Sequence, residues 1–320
     1  MKEFFTYEQQ IEKLKNDGLT INDEEQAERE LKLEGYYNII NGYSPIFKRD
    51  ALFIEGTTFD NIKKLYDFDK TLRSIVYKYT SSIECYIKAL IAHEFSRVHG
   101  VDEKKYLTEN SFSKNAKSVD NVKRLIEECS QTITDALNRK SNRYRQYIEH
   151  NYVKHGHVPM WVLIRAISFG TTSIFYKNMM EEEKTVIACN YCLNPLQLAN
   201  MLEVVVSFRN IVAHGERTFC VRLPKTRLTT ELSVVRKMCI RKNEKGSNMV
   251  GRNDFLALLI CCKYLLPPVE FTGFITEIEV LLDELKKQQT PIMFSKIKLA
   301  MGLKTNAWLL LPKIKIDESI

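Results

Sequence analysis

The sequence predicts an all-α (mainly α) helical bundle, and three observations carry that prediction. Phe59 to His99 contains neither glycine nor proline, and its apolar residues (Ile62, Leu65, Leu72, Ile75, Val76, Tyr79, Ile83, Tyr86, Ile87, Leu90, Ile91) recur in three- and four-residue steps. That is one amphipathic helix, roughly 60 Å long at about 1.5 Å per residue, and a spine for the fold. No sustained period-two alternation precedes Arg217. Helix starts and stops punctuate most of the remaining chain.

In order, Thr6-Tyr7-Glu8-Gln9 has the form of a capping box, opening a helix that ends at Gly18. Asn22 caps a second, strongly charged helix that ends at Gly35. The glycine- and proline-punctuated segment Gly35 to Phe47 carries Tyr36, Tyr37, Tyr43 and Phe47. It can pack as a clasp or offer aromatic faces to stacked bases. After the spine, Gly100 begins a polar stretch to about Val119. Helices are then expected from Val119 to Lys140, from Trp161 to Met179 with Gly170 allowing a close approach, and from Glu182 to Tyr191. Asn194-Pro195 starts a helix that reaches the Arg209–His214 region. Leu232 to Ile240 reads as a strand or small β hairpin after that region. Asp254 to Leu265, Phe274 to Lys287 and Ile292 to Met301 are helical, with breaks at Pro267-Pro268 and Pro291. This divides the chain into an N-terminal helical and aromatic segment, 1–57, and a helical core, 58–320, with a basic insertion at 217–252.

An apolar content of 44% over 320 residues is ample for a buried core and excludes a disordered chain. The start, Met1 to Phe5, runs straight into charged helical sequence, and the apolar runs Phe255–Cys262 and Trp308–Leu311 are too short to span a bilayer. A cytoplasmic protein with no membrane partner is expected. Its eight cysteines then read as reduced core residues.

The net charge of +7 is unevenly placed. From Arg217 to Arg252, ten basic residues (Arg217, Arg222, Lys225, Arg227, Arg236, Lys237, Arg241, Lys242, Lys245, Arg252) face two acidic ones, Glu231 and Glu244. Such a stretch suits a polyanion, and the first eight are candidate RNA-binding residues; a solvated surface loop explains the same charge.

The stretch Phe208-Arg209-Asn210-Ile211-Val212-Ala213-His214-Gly215-Glu216-Arg217 puts a guanidinium, an amide and an imidazole at the end of an apolar helix, then stops it with glycine. Asn210 and His214 are four apart and share a helix face, whereas Arg209 is offset from His214 by about 140°. Guanidinium suits phosphate oxygens and imidazole exchanges protons. RNA cleavage by the 2′-hydroxyl needs a base for that hydroxyl and an acid for the leaving 5′ oxygen. One histidine per chain does not supply both, so two copies of His214 across a two-fold dimer would, with two copies of Arg209 facing the phosphate. The bland reading is that Arg209 pairs with a carboxylate while His214 closes the helix. The spacing alone is cheap, since Arg145 and His150 repeat it without the amide or glycine. Cys189-x-x-Cys192 lacks a second pair, His155-Gly156-His157 lacks further ligands, and no phosphate-binding glycine loop is present, so no metal or other cofactor is expected.

Arg209-Asn210-x-x-Ala213-His214 resembles the R-N-x-x-A-H signature of HEPN-domain nucleases, and its setting resembles the abortive-infection (Abi) family of the AbiD/AbiF type. The likeness extends through Thr6-Tyr7-Glu8-Gln9-Gln10, Gly35-Tyr36-Tyr37, Gly42-Tyr43, Leu65-Tyr66-x-Phe68-Asp69-x-x-Leu72-Arg73, Ile83-Glu84, Pro159-x-Trp161, Ser168-Phe169-Gly170 and Met301-Gly302 with Trp308. The resemblance implies a HEPN helical bundle, a homodimer, phage defence, and an endoribonuclease in which Arg209 and His214 are catalytic and Asn210 orients them. It leaves open a regulatory RNA or protein antitoxin as partner. It also leaves open a non-catalytic RNA-binding or partner-binding module. The chain departs from the family pattern at Gly215 and at Thr218-Phe219-Cys220.

Overall fold

The structure is a computed structural model that describes residues 4–114, 119–138, 145–228, 232–238, 240 and 250–317. Thr6 opens α1 (Tyr7–Asn16) with a full capping box, its hydroxyl accepting from Gln9 N and its own N–H donating to Gln9 Oε1. The second helix, α2 (Glu24–Glu34), is capped by Asp23 rather than the expected Asn22, because the Asp23 carboxylate accepts from Gln26 N at 2.8 Å. A π-helical turn, Tyr37–Asn41, and a 3-10 turn, Ser44–Phe47, follow. Strands β1 (Lys48–Arg49) and β2 (Leu52–Phe53) then pair antiparallel. Phe53 N donates to Asp17 O, and Thr20 bridges Thr58, which ties this N-terminal part to the start of the spine.

The spine, α3 (Phe59–His99), is the single 41-residue helix that the periodicity predicts. Thr58 and Asn61 form its capping box and Gly100 closes it. After α4 (Glu103–Tyr106) and α5 (Val119–Leu137), α6 (Gln146–His155) leads into α7 (Met160–Leu163). The expected single helix from Trp161 to Met179 is two elements. Ser168 breaks it by capping α8 (Phe169–Asn178), its hydroxyl accepting from Thr171 N at 3.0 Å. The close approach expected at Gly170 is not seen: a Cβ there would meet Ser168 Oγ at 3.6 Å and Val206 Cγ1 at 4.0 Å, ordinary contact distances.

Next come α9 (Glu181–Cys189) and α10 (Pro195–Ala213). Among the described residues α10 is long and apolar enough to cross a membrane by length and composition alone. Here it packs on α3, α8, α9 and the later helix Phe255–Leu265 as a core helix, with Leu198, Met201, Leu202, Val204, Val205, Phe208 and Val212 buried. The strand or hairpin expected at 232–240 is also corrected: Ser233–Lys237 is a helical turn, α11. Consecutive Ser233, Val234 and Val235 are all buried there, so burial shows no period-two alternation either.

Asp254 caps α12 (Phe255–Leu265). The break expected at Pro267-Pro268 is the start of α13 (Pro268–Gln288), with proline at its first position, where no N–H is needed. The helix α14 (Pro291–Ala300) and a 3-10 segment, Asn306–Lys313, end the described chain. The spine packs chiefly on α10 and α13, the latter through Tyr79 on Phe274 (4.7 Å between centroids) and the Tyr79 hydroxyl donating to Glu277. Buried apolar residues from Ile11 to Leu311 form one cluster, so the N-terminal segment shares the core with everything after it.

At the C-terminal end of α3, His99 Nε2 lies 2.8 Å from Glu183 Oε1, and neither atom has another partner. A proton held between them satisfies both. Burial pushes the Glu183 carboxyl from the ordinary 4.5 up to about 7 and pushes the His99 imidazole down. A carboxyl raised in the folded state contributes stability that is full below about 4.5 and is lost as pH rises to about 7; the depressed imidazole contributes the opposite slope, below its ordinary 6.5. Urea unfolding over this range checks the balance. Glu183→Gln should gain on the parent protein by on the order of 2 kcal/mol between pH 5 and pH 8. A parent-to-variant difference independent of pH would show that Glu183 is ionised throughout.

Candidate functional site

Asp69 projects from the spine into the core and is 0% exposed. Its carboxylate accepts from the Tyr43 hydroxyl at 2.7 Å, Thr218 N at 3.0 Å, Phe219 N at 2.8 Å and Arg73 Nη1 at 3.1 Å. Burial raises the Asp69 carboxyl above the usual range, opposed by the Tyr43 hydroxyl, the Thr218 amide, Arg73 and the Phe219 amide. Tyr43 lies between Tyr66, edge-on at 5.5 Å, and Phe219, stacked at 5.8 Å. The Tyr66 hydroxyl donates to Glu34, which also accepts from Lys70. One buried carboxylate thus fastens the aromatic segment and the loop after α10 to the same point of the spine.

That loop begins with a Schellman stop. Gly215 N donates to Val212 O and Glu216 N to Ile211 O, with Gly215 at φ 71°, a conformation that favours glycine. His214 is the cap residue and is exposed. Three residues on, Arg217 lies across Gly42 and donates Nη1 to Gly42 O at 2.6 Å. The Arg217 stem packs against Gly42, where a Cβ would meet Arg217 Cδ at 3.4 Å.

The result is a cleft of about 870 Å³. Its lining takes His214, Gly215, Glu216, Arg217 and Arg222 from the end of α10 and the loop after it, Tyr37, Asn38, Asn41 and Gly42 from the aromatic segment, and Tyr66 and Arg73 from the spine. Of the candidate residues, then, the fold brings together His214, Arg217 and Arg222.

It does not bring Arg209 there. Arg209 Nη2 lies 3.4 Å from Glu84 Oε2, its guanidinium sits over the Tyr77 ring at 5.8 Å, and its Nε is buried without a partner. Lys88 shares Glu84 and donates to Ile167 O. Asn210 is exposed and is not part of the cleft lining. Lys225, Arg227 and Arg236 are exposed outside the cleft, and Lys237 pairs with Asp317. Arg241 and Lys242 lie outside the described residues.

The sequence offers the Gly35–Phe47 segment as aromatic faces for stacked bases without singling out Tyr37, and it misses Arg73, Asn38 and Asn41 as cleft residues and Asp69 as their organiser. A signal existed for one pair. Asp69 and Arg73 are four apart on a helix, and Asp69 falls among Leu65, Tyr66, Phe68 and Leu72, where a lone carboxylate would be costly.

Removing the carboxylate should loosen the aromatic segment and the loop after α10 at once. Asp69→Ala is expected to cost on the order of 3–5 kcal/mol in urea unfolding, as for breaking a buried ion pair. Limited proteolysis of the folded variant should then cut first within 36–47 or 215–220. Cleavage there no faster than in the parent would show that Asp69 is not the fastening point.

A family model described as Abi-like protein matches residues 29–220, more than half of the chain. That span runs from within α2 to Cys220, so it takes in the aromatic segment, the spine, α10 and the loop that Asp69 holds. No curated protein and no solved structure matches the chain.

Proposed function

The chain belongs to the Abi-like protein family, which suggests a part in abortive-infection phage defence, and on that premise we propose that it is a HEPN-type endoribonuclease of the AbiD/AbiF kind, working as a cytoplasmic homodimer. The observation that carries the reading is the exposed His214 imidazole at the wall of a cleft whose lining also holds Arg73, Arg217 and Arg222. Cations that can bind a phosphodiester and a group that can move a proton stand together in space, not merely near each other in sequence.

In the proposed reaction one His214 takes the proton of the ribose 2′-hydroxyl. The oxygen attacks the adjacent phosphorus, the bond to the 5′ oxygen breaks, and a second copy of His214 from the partner protomer delivers a proton to that leaving oxygen. The product end is a 2′,3′-cyclic phosphate. Arg209 retains an unpaired buried Nε donor, which supports a role facing the phosphate when two α10 ends meet. Asn210, exposed beside it, would orient that pair.

A second reading is favoured by one observation: within one protomer Arg209 is engaged by Glu84 and does not share the cleft with His214. On that reading the cleft binds RNA, held off or directed by a partner RNA or protein, and does not cut it.

Purified protein incubated with end-labelled RNA in chelator separates the two. The nuclease reading expects cleavage to cyclic-phosphate ends and a loss of at least roughly 100-fold in His214→Ala, with sedimentation showing a dimer. Tight RNA binding that survives both Arg209→Ala and His214→Ala, without cleavage by the parent, would favour the second.

A further inference from the structure

We propose that the cleft is built for single-stranded RNA: one unpaired base stacks on Tyr37 and its edge is met by the Asn41 and Asn38 amides, while Arg73, Arg217 and Arg222 face the backbone phosphates. The proposal rests on the reading that this cleft binds RNA, and it names the form of RNA and the residues that select it.

The aromatic segment divides sharply by burial. Ile39, Ile40, Tyr43 and Phe47 are buried and hold it to the core, whereas Tyr37 is 74% exposed. Among the described residues the Tyr37 ring has no aromatic or cation neighbour within contact, unlike Tyr43 and Tyr66 in the same region. A lone exposed tyrosine is ordinary on a surface. This one lines the same cleft as His214 and Arg217, on a segment that two fastenings, Tyr43 to Asp69 and Arg217 to Gly42, hold at a set place relative to them.

Two amides flank it. Asn38 spends its Nδ2 on Glu34 O and keeps its side-chain oxygen, whereas the Asn41 amide makes no hydrogen bond among the described residues. A side-chain amide offers one donor group and one acceptor, the complement of a base edge. Cations alone would suit any polyanion. A ring, the free Asn41 amide and the free Asn38 oxygen among the cations suit a nucleotide whose base is out of its stack, because every base has a π-face to offer once it is unpaired. In an A-form duplex the bases are stacked inside and the helix shows mainly backbone and 2′-hydroxyls, so a duplex cannot use Tyr37.

The test uses the full chain carrying His214→Ala, so that bound RNA is not cut, and follows fluorescence anisotropy of a labelled ten-nucleotide single strand and of its blunt duplex. Adding Tyr37→Ala should weaken single-strand binding by roughly 5- to 100-fold and leave duplex binding unchanged, while Tyr37→Trp retains the single strand. The salt dependence separates ring from charge: its log–log slope should be unchanged in Tyr37→Ala and shallower by about one in Arg222→Ala. Because Tyr37 is exposed, thermal unfolding of the variant should match the parent. Single-strand affinity unaffected by Tyr37→Ala, or duplex bound as tightly as single strand, overturns the proposal while leaving RNA binding intact. Failure of every variant to bind either RNA overturns the RNA reading itself, and this proposal with it.

Discussion

A carboxylate taken fully out of water is costly unless donors replace its hydration. Asp69 meets that requirement with a phenol, two backbone amides and a guanidinium, drawn from three separate parts of the chain. Satisfying it forces Tyr43 of the aromatic segment and Thr218-Phe219 of the post-helix loop to converge on one level of the spine. The cleft between them follows from that convergence. Tyr66 and Phe219 pack on the Tyr43 ring, and Glu34 with Lys70 continues the network outward, so the hydrogen bonds sit in an apolar surround that strengthens them.

The second constraint is how α10 ends. Its apolar circumference commits it to the core, and the Schellman stop at Gly215 turns the chain just where polar groups begin. His214, as the cap, is left outside and against the cleft. Arg209, one and a half turns earlier, lies over Tyr77 and against Glu84. Within one protomer Arg209 is engaged by Glu84 and Tyr77 while His214 lines the cleft, and that separation is the reason for proposing a dimer.

The basic segment after the motif is less of a unit in space than in sequence. Arg217 and Arg222 enter the cleft, Lys237 turns to Asp317, and Lys225, Arg227 and Arg236 face solvent elsewhere. Residues 223–228 instead dock by backbone hydrogen bonds on 252–253, Leu223 N to Asn253 O and Leu228 N to Arg252 O. Arg73, from the spine and more than a hundred residues away in sequence, supplies a cleft cation that no local charge count would include.

What the sequence by itself determined is what depends on neighbours along the chain. The 41-residue spine, its stop at Gly100, the capping box at Thr6, the proline start of α10 and its glycine stop were all legible, because helical periodicity and capping are set within four residues. Errors fell where a local signal had two uses. Ser168 could ride within a helix or cap one, Pro268 could break a helix or start one, and Val234-Val235 could extend a strand or face a core from a single helical turn. Only the tertiary structure decided which of four aromatic residues in 36–47 stays exposed, that Asp69 joins the aromatic segment to the loop after α10, and that His214 and Arg209 part company. Those outcomes rest on contacts between residues 26 to 150 apart, whose strength comes from burial that a linear sequence does not display.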